Sequence, residues 1–303
     1  MESDVDVRNA GEQLLNRSLP LSARFRALFL LRNINGRDSI DWIVKAFSDS
    51  SDLLKHELAY CLGQMNNIYA LDALSSVLSD EKQAAIVRHE AAEAIGAIGD
   101  PKGTKMLEPY LQSQIPELAE TCQLAVRRIA WCNDVNEKED CLVQNQFGSI
   151  DPTPCYACEN TDASLKAMEQ LFLDEKAQLW DRYRAMFSLR NMASANAASS
   201  LTKGLFCPNS ALFRHEVAFV LGQLSTPIAV ESLKKVLADT EESGMVRHEC
   251  AEALGSIATE DCKQILRRFL SDSEPLVSES CEVALDVCDY MVGSEFQYAA
   301  TLS

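Results

Sequence analysis

Apolar residues recur three and four positions apart from Val5 to Asp134, and the breaks between these runs are short and built from Gly, Pro, Asn, Asp and Ser. Residues at that spacing share one face of a helix, so the pattern describes a series of helices, each with an apolar stripe to bury. It predicts helices over 6–17, 21–34, 38–48, 52–65, 68–79, 84–98, 102–112 and 116–132, which pair into four hairpins. Pro20 and Pro101 stand where a first-turn proline is tolerated, Ser18, Ser51 and Asp100 are the expected caps, and Gly99 closes a helix.

Overlaying the second helix of each hairpin on Ala27, Ala59, Ala92 and Ala125 brings Arg24, His56, His89 and Cys122 into one slot. The slots are 32, 33 and 33 residues apart. Two helices per repeat with a period in the thirties is the mark of an α-solenoid. Residues 133–162 interrupt the pattern with charges and with Pro152 and Pro154, which restrict their neighbours and remove donors, so this stretch is expected to be an acidic linker. Beyond it the first array returns. Arg24 to Asn33 reappears as Arg182 to Asn191, His56 to Gln64 as His215 to Gln223, and Val87 to Ala94 as Val246 to Ala253. The slot series is now Arg182, His215, His248 and Cys281. The expected fold is therefore all-α, an α-solenoid of eight helical hairpins in two pseudo-symmetric halves, 1–132 and 163–303, joined by 133–162.

Composition narrows the class. With 303 residues, 47% of them hydrophobic, the chain can bury a large core, and a net charge of −17 argues against nucleic acid and in favour of cationic partners. The opening residues hold Glu2, Asp4 and Asp6 rather than an apolar run, and no stretch reaches the length of a membrane span. A soluble cytosolic monomer is the expectation. Eleven cysteines, most inside apolar helical patterns, predict buried thiols rather than a disulfide framework. Cys155 and Cys158 have the spacing of half a zinc site, but without a second pair nearby they read as linker thiols.

The chemistry lies in the four histidines, each followed by glutamate: His56-Glu57, His89-Glu90, His215-Glu216 and His248-Glu249. The outer slots of each half have Arg or Cys instead, so the repeat itself does not require the pair. Adjacent second helices, about 8–10 Å apart, would let the two histidines of each half lean toward one point. A histidine and the glutamate after it project about 100° apart on a helix, so four carboxylates remain for two kinds of work. Two imidazoles and one carboxylate suit non-haem iron, and the set occurs twice. Should the halves face each other, the two sets would meet as a di-iron centre. Glu93 and Glu252, four residues after a histidine, are either imidazole partners or ordinary solvated positions, and Arg24 and Arg182 read as structural arginines packed on neighbouring helices and paired with acids. Two other classes stay open on residue types alone, a protein-binding scaffold without metal and a hydrolase with two zinc ions.

Two arrays of four such repeats, with Arg214-His215-Glu216 before Leu221-Gly222-Gln223 and with the run Val246 to Gly255, resemble the deoxyhypusine hydroxylases, a family of HEAT-like repeat proteins. The Asp151-Pro152 linker and the stretch Glu279 to Asp286 look like the same family, and the resemblance covers nearly the whole chain. It implies O2-dependent hydroxylation of a deoxyhypusine side chain on the hypusine-bearing eukaryotic translation factor. It further implies two irons, one on His56, His89 and Glu90 and the other on His215, His248 and Glu249, with Glu57 and Glu216 facing the substrate. An external electron donor would be needed. Cys155 and Cys158 are not part of the family pattern. The bilin-attaching lyases share the repeat type, but their chemistry needs no paired metal site.

Overall fold

The computed structural model describes residues 2–134, 146–293 and 298–299, with side chains from residue 6 onward. The expected charged run around Asp134 to Asp140 lies mostly outside the described residues. No strand occurs among them. Sixteen α-helices do: α1 Glu2–Leu15, α2 Leu21–Ile34, α3 Arg37–Lys45, α4 Asp52–Gln64, α5 Leu71–Ser79, α6 Ala85–Ile98, α7 Lys102–Leu107, α8 Pro116–Asn133, α9 Asp162–Leu173, α10 Leu179–Met192, α11 Ala195–Gly204, α12 Ala211–Leu224, α13 Val230–Leu237, α14 Gly244–Ile257, α15 Glu260–Arg268 and α16 Pro275–Val292. They pair into the eight expected hairpins, and the predicted boundaries hold to within a residue or two except at the first helix, which begins earlier, and at helices whose ends tighten into 3₁₀ turns.

The chain divides into two compact units, one of residues 1–129 with 293–303 and one of 130–292. In the first, Tyr298 returns to α2, where its ring lies under Arg26 and beside Phe29. In the second, residues 146–160 are more than a tether. Arg190 of α10, which is wholly buried, grips Asp151 through both terminal guanidinium nitrogens at 2.9 and 2.6 Å and stacks on Phe147 and Phe187. Tyr156 lies against Arg184 and donates its hydroxyl to Asp181 at 2.8 Å. Cys155 is buried in this strap, and neither it nor Cys158 joins a group of potential metal ligands among the described residues.

Within each unit the second helices of successive hairpins pack side by side: α4 on α6, and α12 on α14 on α16. Neighbours on both flanks and a first helix behind them leave little of their surface to water. α4 and α14 are therefore buried around most of their circumference, including His, Glu and Arg positions that an isolated amphipathic helix would expose.

Four arginines each fasten one second helix, α2, α6, α10 or α14, to the first helix of its own hairpin. The Nε atoms of Arg24, Arg88, Arg182 and Arg247 donate to the carbonyls of Leu14, Leu78, Phe172 and Leu237 at 2.9 to 3.0 Å. Each acceptor lies in the last turn of its helix, where carbonyls have no partner within the helix and a positive charge complements the macrodipole. Arg24 and Arg247 also pair with Asp49 and Asp272. Arg182 departs from the expected pairing with an acid: it meets the Cys207 thiol at 3.4 Å and the face of Phe213.

Local signals account for the helix ends. Ser51 and Ser210 accept the amides of Leu54 and Phe213 and so start α4 and α12 five residues before His56 and His215. Gly99 closes α6 in the left-handed region at φ 72°. Asp100 accepts the Lys102 amide. Ser18 is not a cap: α2 begins directly after Pro20, and the Ser18 hydroxyl donates to Asn16. The described cysteines are free thiols, as expected.

Candidate metal centre

His56 and Glu57 occupy the second turn of α4, and His89 and Glu90 the second turn of α6. All four side chains are buried, although each belongs to a residue type seldom buried without a partner. What brings them together is a close helix approach seven residues further along. A Cβ on Gly63 would stand 2.8 Å from the Ala94 Cα, and one on Gly96 2.7 Å from the Ala125 Cβ, so only glycine permits this separation. The second unit repeats the arrangement with Gly222 against Ala253 and Gly255 against Ala284. Each of the four His-Glu pairs is followed by such a glycine at the same offset, and none of the four outer slots is.

In the first unit the imidazoles of His56 and His89 lie 5.6 Å apart between centroids. Glu90 stands at both, 3.2 Å from His56 Nε2 and 3.9 Å from His89 Nε2. One ligand atom from each of the three falls within 4.8 Å of the others. In the second unit His215 and His248 lie 5.3 Å apart, and Glu249 is 3.3 Å from His215 Nε2. The first expected set is thus drawn to one point, whereas in the second unit Glu249 meets His215 and the two rings lie side by side. His248, Glu249 and Glu252 also lie within 4.8 Å of one another, which offers a competing ligand set. Glu252, however, meets His248 at Nδ1, at 3.4 Å, on the opposite side of the ring from Nε2. An imidazole that binds a metal through Nε2 uses Nδ1–H for a partner of this kind, so Glu252 is better read as the orienting acceptor that its position four residues after His248 suggested. Glu93, at the same offset from His89, is half-buried.

The donor set fits a transition metal. A buried carboxylate needs hydrogen bonds or a positive charge at that place, and two imidazoles with a carboxylate accommodate iron and zinc alike. The outer slots do not extend the set. Burial pushes the Cys122 and Cys281 thiols up to about 12, so they are not thiolates near neutral pH.

Glu57 and Glu216 are buried to the same degree as the other two glutamates. Glu57 takes the thiol of Cys61 at 3.9 Å, one turn on. Burial first, and then the charge of Glu57, holds the Tyr60 hydroxyl and the Cys61 thiol well above their usual ranges, and Glu90 adds to both. Two carboxylates therefore act on one small region of α4, a local negative field suited to a cationic guest.

Gly222 and Gly255 entered the sequence reading only as parts of repeated motifs, and the packing role of the four glycines was not read there, although each stands seven residues after a histidine. Thr121 and Ser280, which stand against the inner histidines, follow them by 32 residues in both units.

Comparison with known proteins places these features in a family. A model of HEAT repeats matches residues 40–127 and 198–286. Deoxyhypusine hydroxylase from Rattus norvegicus is 50% identical over 299 residues, covering 99% of this chain and 97% of the relative. That from Drosophila melanogaster is 50% identical over 303 residues, 100% of this chain and 98% of its own. The solved structure of human deoxyhypusine hydroxylase in complex with glycerol superposes with a TM-score of 0.90 at 48% identity, over 96% of this chain and 98% of that one. Identity at this level runs from end to end of a chain that keeps all four His-Glu pairs in their helical slots, and the chain belongs to the deoxyhypusine hydroxylase family.

Proposed function

We propose that the chain hydroxylates the deoxyhypusine side chain of the hypusine-bearing translation factor, using O2 and two irons, one held by His56, His89 and Glu90 and the other by His215, His248 and Glu249. The observation that carries this reading is the buried set His56, His89 and Glu90, within coordinating reach of one another, and its counterpart in the second unit, where Glu249 lies 3.3 Å from His215 Nε2 and the His215 and His248 rings are 5.3 Å apart. Family membership supports the substrate. The donor set accepts iron, and family membership favours it over zinc; iron would supply the oxygen chemistry when bound. Insertion of one oxygen atom into a C–H bond, with the other leaving as water, takes two electrons and two protons from an external reductant.

The chain's own residues have three tasks in this scheme. The histidines and Glu90 and Glu249 hold the irons. Glu57 and Glu216 accept hydrogen bonds from the cationic amines of the substrate side chain, each charge-assisted contact worth roughly 1.5–3 kcal/mol. Burial excludes water from the reacting groups. The net charge of −17 favours approach of a basic loop on the substrate protein, an effect on association rate that salt weakens. The same reading has a single chain acting in the cytosol.

Metal analysis of protein purified without added metal, with its visible spectrum, tests the proposal. Two irons per chain, a charge-transfer band lost on reduction, and turnover of deoxyhypusine-bearing protein are expected. A Mössbauer spectrum of uncoupled irons would exclude their action as one di-iron centre. Two zincs that iron does not displace, with no hydroxylation, would favour the hydrolytic alternative. No metal after iron reconstitution would leave a protein-binding scaffold.

A further inference from the structure

The inner histidine of each unit meets a hydroxyl from the last helix of that unit. Thr121 Oγ1 of α8 lies 3.4 Å from His89 Nδ1, and Ser280 Oγ of α16 lies 3.5 Å from His248 Nδ1. Both hydroxyl residues are buried, at 2% and 0% exposure, and both precede the slot cysteine. A hydroxyl can donate or accept, so its own hydrogen decides which role it plays toward the ring. Thr121 donates to the Glu117 carbonyl at 2.7 Å, one turn back in α8. With that hydrogen committed, its oxygen faces His89 as an acceptor. Ser280 donates to Glu252 Oε1 at 3.4 Å, and the same carboxylate oxygen is 3.4 Å from His248 Nδ1. At His248 both neighbours are therefore placed as acceptors.

We propose that Thr121 in one unit, and Ser280 with Glu252 in the other, are positioning residues that hold the proton of the inner imidazole on Nδ1 and so leave the lone pair on Nε2, the nitrogen a metal would take. The consequence for metal binding rests on the ligand assignment above; the consequence for the proton does not. A ring with its proton on Nε2 has no lone pair to offer on that side, and a ring without its acceptor is free to take that form. The two units reach one result with different groups. One uses a threonine whose hydrogen is bound to its own helix, and the other a serine whose hydrogen is bound to a carboxylate.

The test uses the full-length chain labelled with ¹⁵N-histidine and treated with chelator, in which only four imidazoles contribute to the two-bond nitrogen spectrum. His89 and His248 are expected with the proton on Nδ1. Thr121→Val should move His89 wholly or partly to the Nε2–H form, Thr121→Ser should keep it, and the double variant Ser280→Ala with Glu252→Ala should do to His248 what Thr121→Val does to His89. An Nε2–H form of either ring in the unaltered chain would overturn the proposal, whether or not any variant folds. So would Thr121→Val leaving His89 unchanged. Competition with an iron(II) chelator then gives the second readout, a loss of affinity of roughly 10- to 100-fold in Thr121→Val that Thr121→Ser restores. Equal affinity in the two variants would overturn the link to the metal. Absence of iron binding in the unaltered chain would overturn the ligand assignment and leave the proton positions to be read on their own.

Discussion

Gly63 on α4 faces Ala94 on α6 so closely that a Cβ on the glycine would stand 2.8 Å from the alanine's Cα. The obstacle is backbone, which cannot swing aside as a side chain can. Gly63→Ala should therefore push the two helices apart at the point that sets the separation of His56 and His89, and cost about 1–3 kcal/mol. Gly222→Ala should cost less, since its added carbon would sit 3.1 Å from the Ala253 Cα. Urea denaturation of the two variants gives the order, and a Gly222→Ala protein less stable than Gly63→Ala would contradict it. The same experiment reaches the metal: Gly63→Ala should weaken iron retention in proportion to the splay of the two helices.

The four glutamates divide into two kinds that a metal assay separates. Glu90 and Glu249 stand at imidazole nitrogens, whereas Glu57 contacts a thiol one turn along its own helix. Glu90→Ala should lose about one iron per chain. Glu57→Ala and Glu216→Ala should keep both irons and lose substrate affinity by roughly 10- to 100-fold, the loss of one or two charge-assisted hydrogen bonds. Iron content by elemental analysis and the KM for substrate protein provide the comparison. Loss of iron in Glu57→Ala equal to that in Glu90→Ala would mean that the carboxylates are wrongly assigned.

Arg247 and Asp272 form a buried pair that makes stability depend on pH. The hydrogen bond from Arg247 is the first cause of a depressed Asp272 carboxyl; burial opposes it, and the Glu274 amide adds to the lowering. A carboxyl lower in the folded than in the unfolded chain contributes stability above its unfolded value, about 3.9, and loses it as pH falls through the folded value. Asp49 behaves alike: burial alone would raise it, and the Ser51 amide with Arg24 and Arg17 outweighs that. At pH 7, Asp272→Ala leaves a buried guanidinium without its acid and should cost about 3–5 kcal/mol. Denaturant melts from pH 7 to pH 3 should show the gap between the variant and the unaltered chain closing below about pH 4. A gap that stays constant would remove the pair from the account of stability.

Much of this fold could be read from the chain because its signals are local and repeated. Apolar spacing gave the hairpins, and Ser51, Asp100 and Gly99 marked ends that the structure keeps. Ser18 was misread because the turn Asn16 to Ser18 and the ring of Pro20 together start α2 without a side-chain cap. The His-Glu pairs stood out because helix packing does not need them. Legibility failed where a role depends on a partner far along the chain. Nothing near Arg182 says that it would meet Cys207, while Arg24 and Arg247 meet aspartates at the same offset. Nor does the Pro-containing stretch before α9 reveal that it is strapped to α10, since the grip comes from Arg190, 39 residues after Asp151.

That grip leads to a prediction about the strap itself. Arg190 makes two parallel bonds to Asp151, reaches Gln223 of α12 at 2.8 Å, and lies between the rings of Phe147 and Phe187. A lysine retains the charge but has neither the planar fork for the carboxylate nor the flat face for the rings. Arg190→Lys should therefore loosen residues 146–160 at their Asp151 end, with Tyr156 still held by Asp181 and Arg184, while the helix core, which packs through Tyr183, Met186 and Phe187, stays folded. Hydrogen exchange measured by mass spectrometry separates the two: peptides from 146–160 should exchange at least tenfold faster in the variant, and peptides from α12 and α14 should not change. Limited proteolysis should cut the same segment first. Uniform acceleration across α10, α12 and α14 would instead show that Arg190 serves the core of the unit and that the strap merely lies over it.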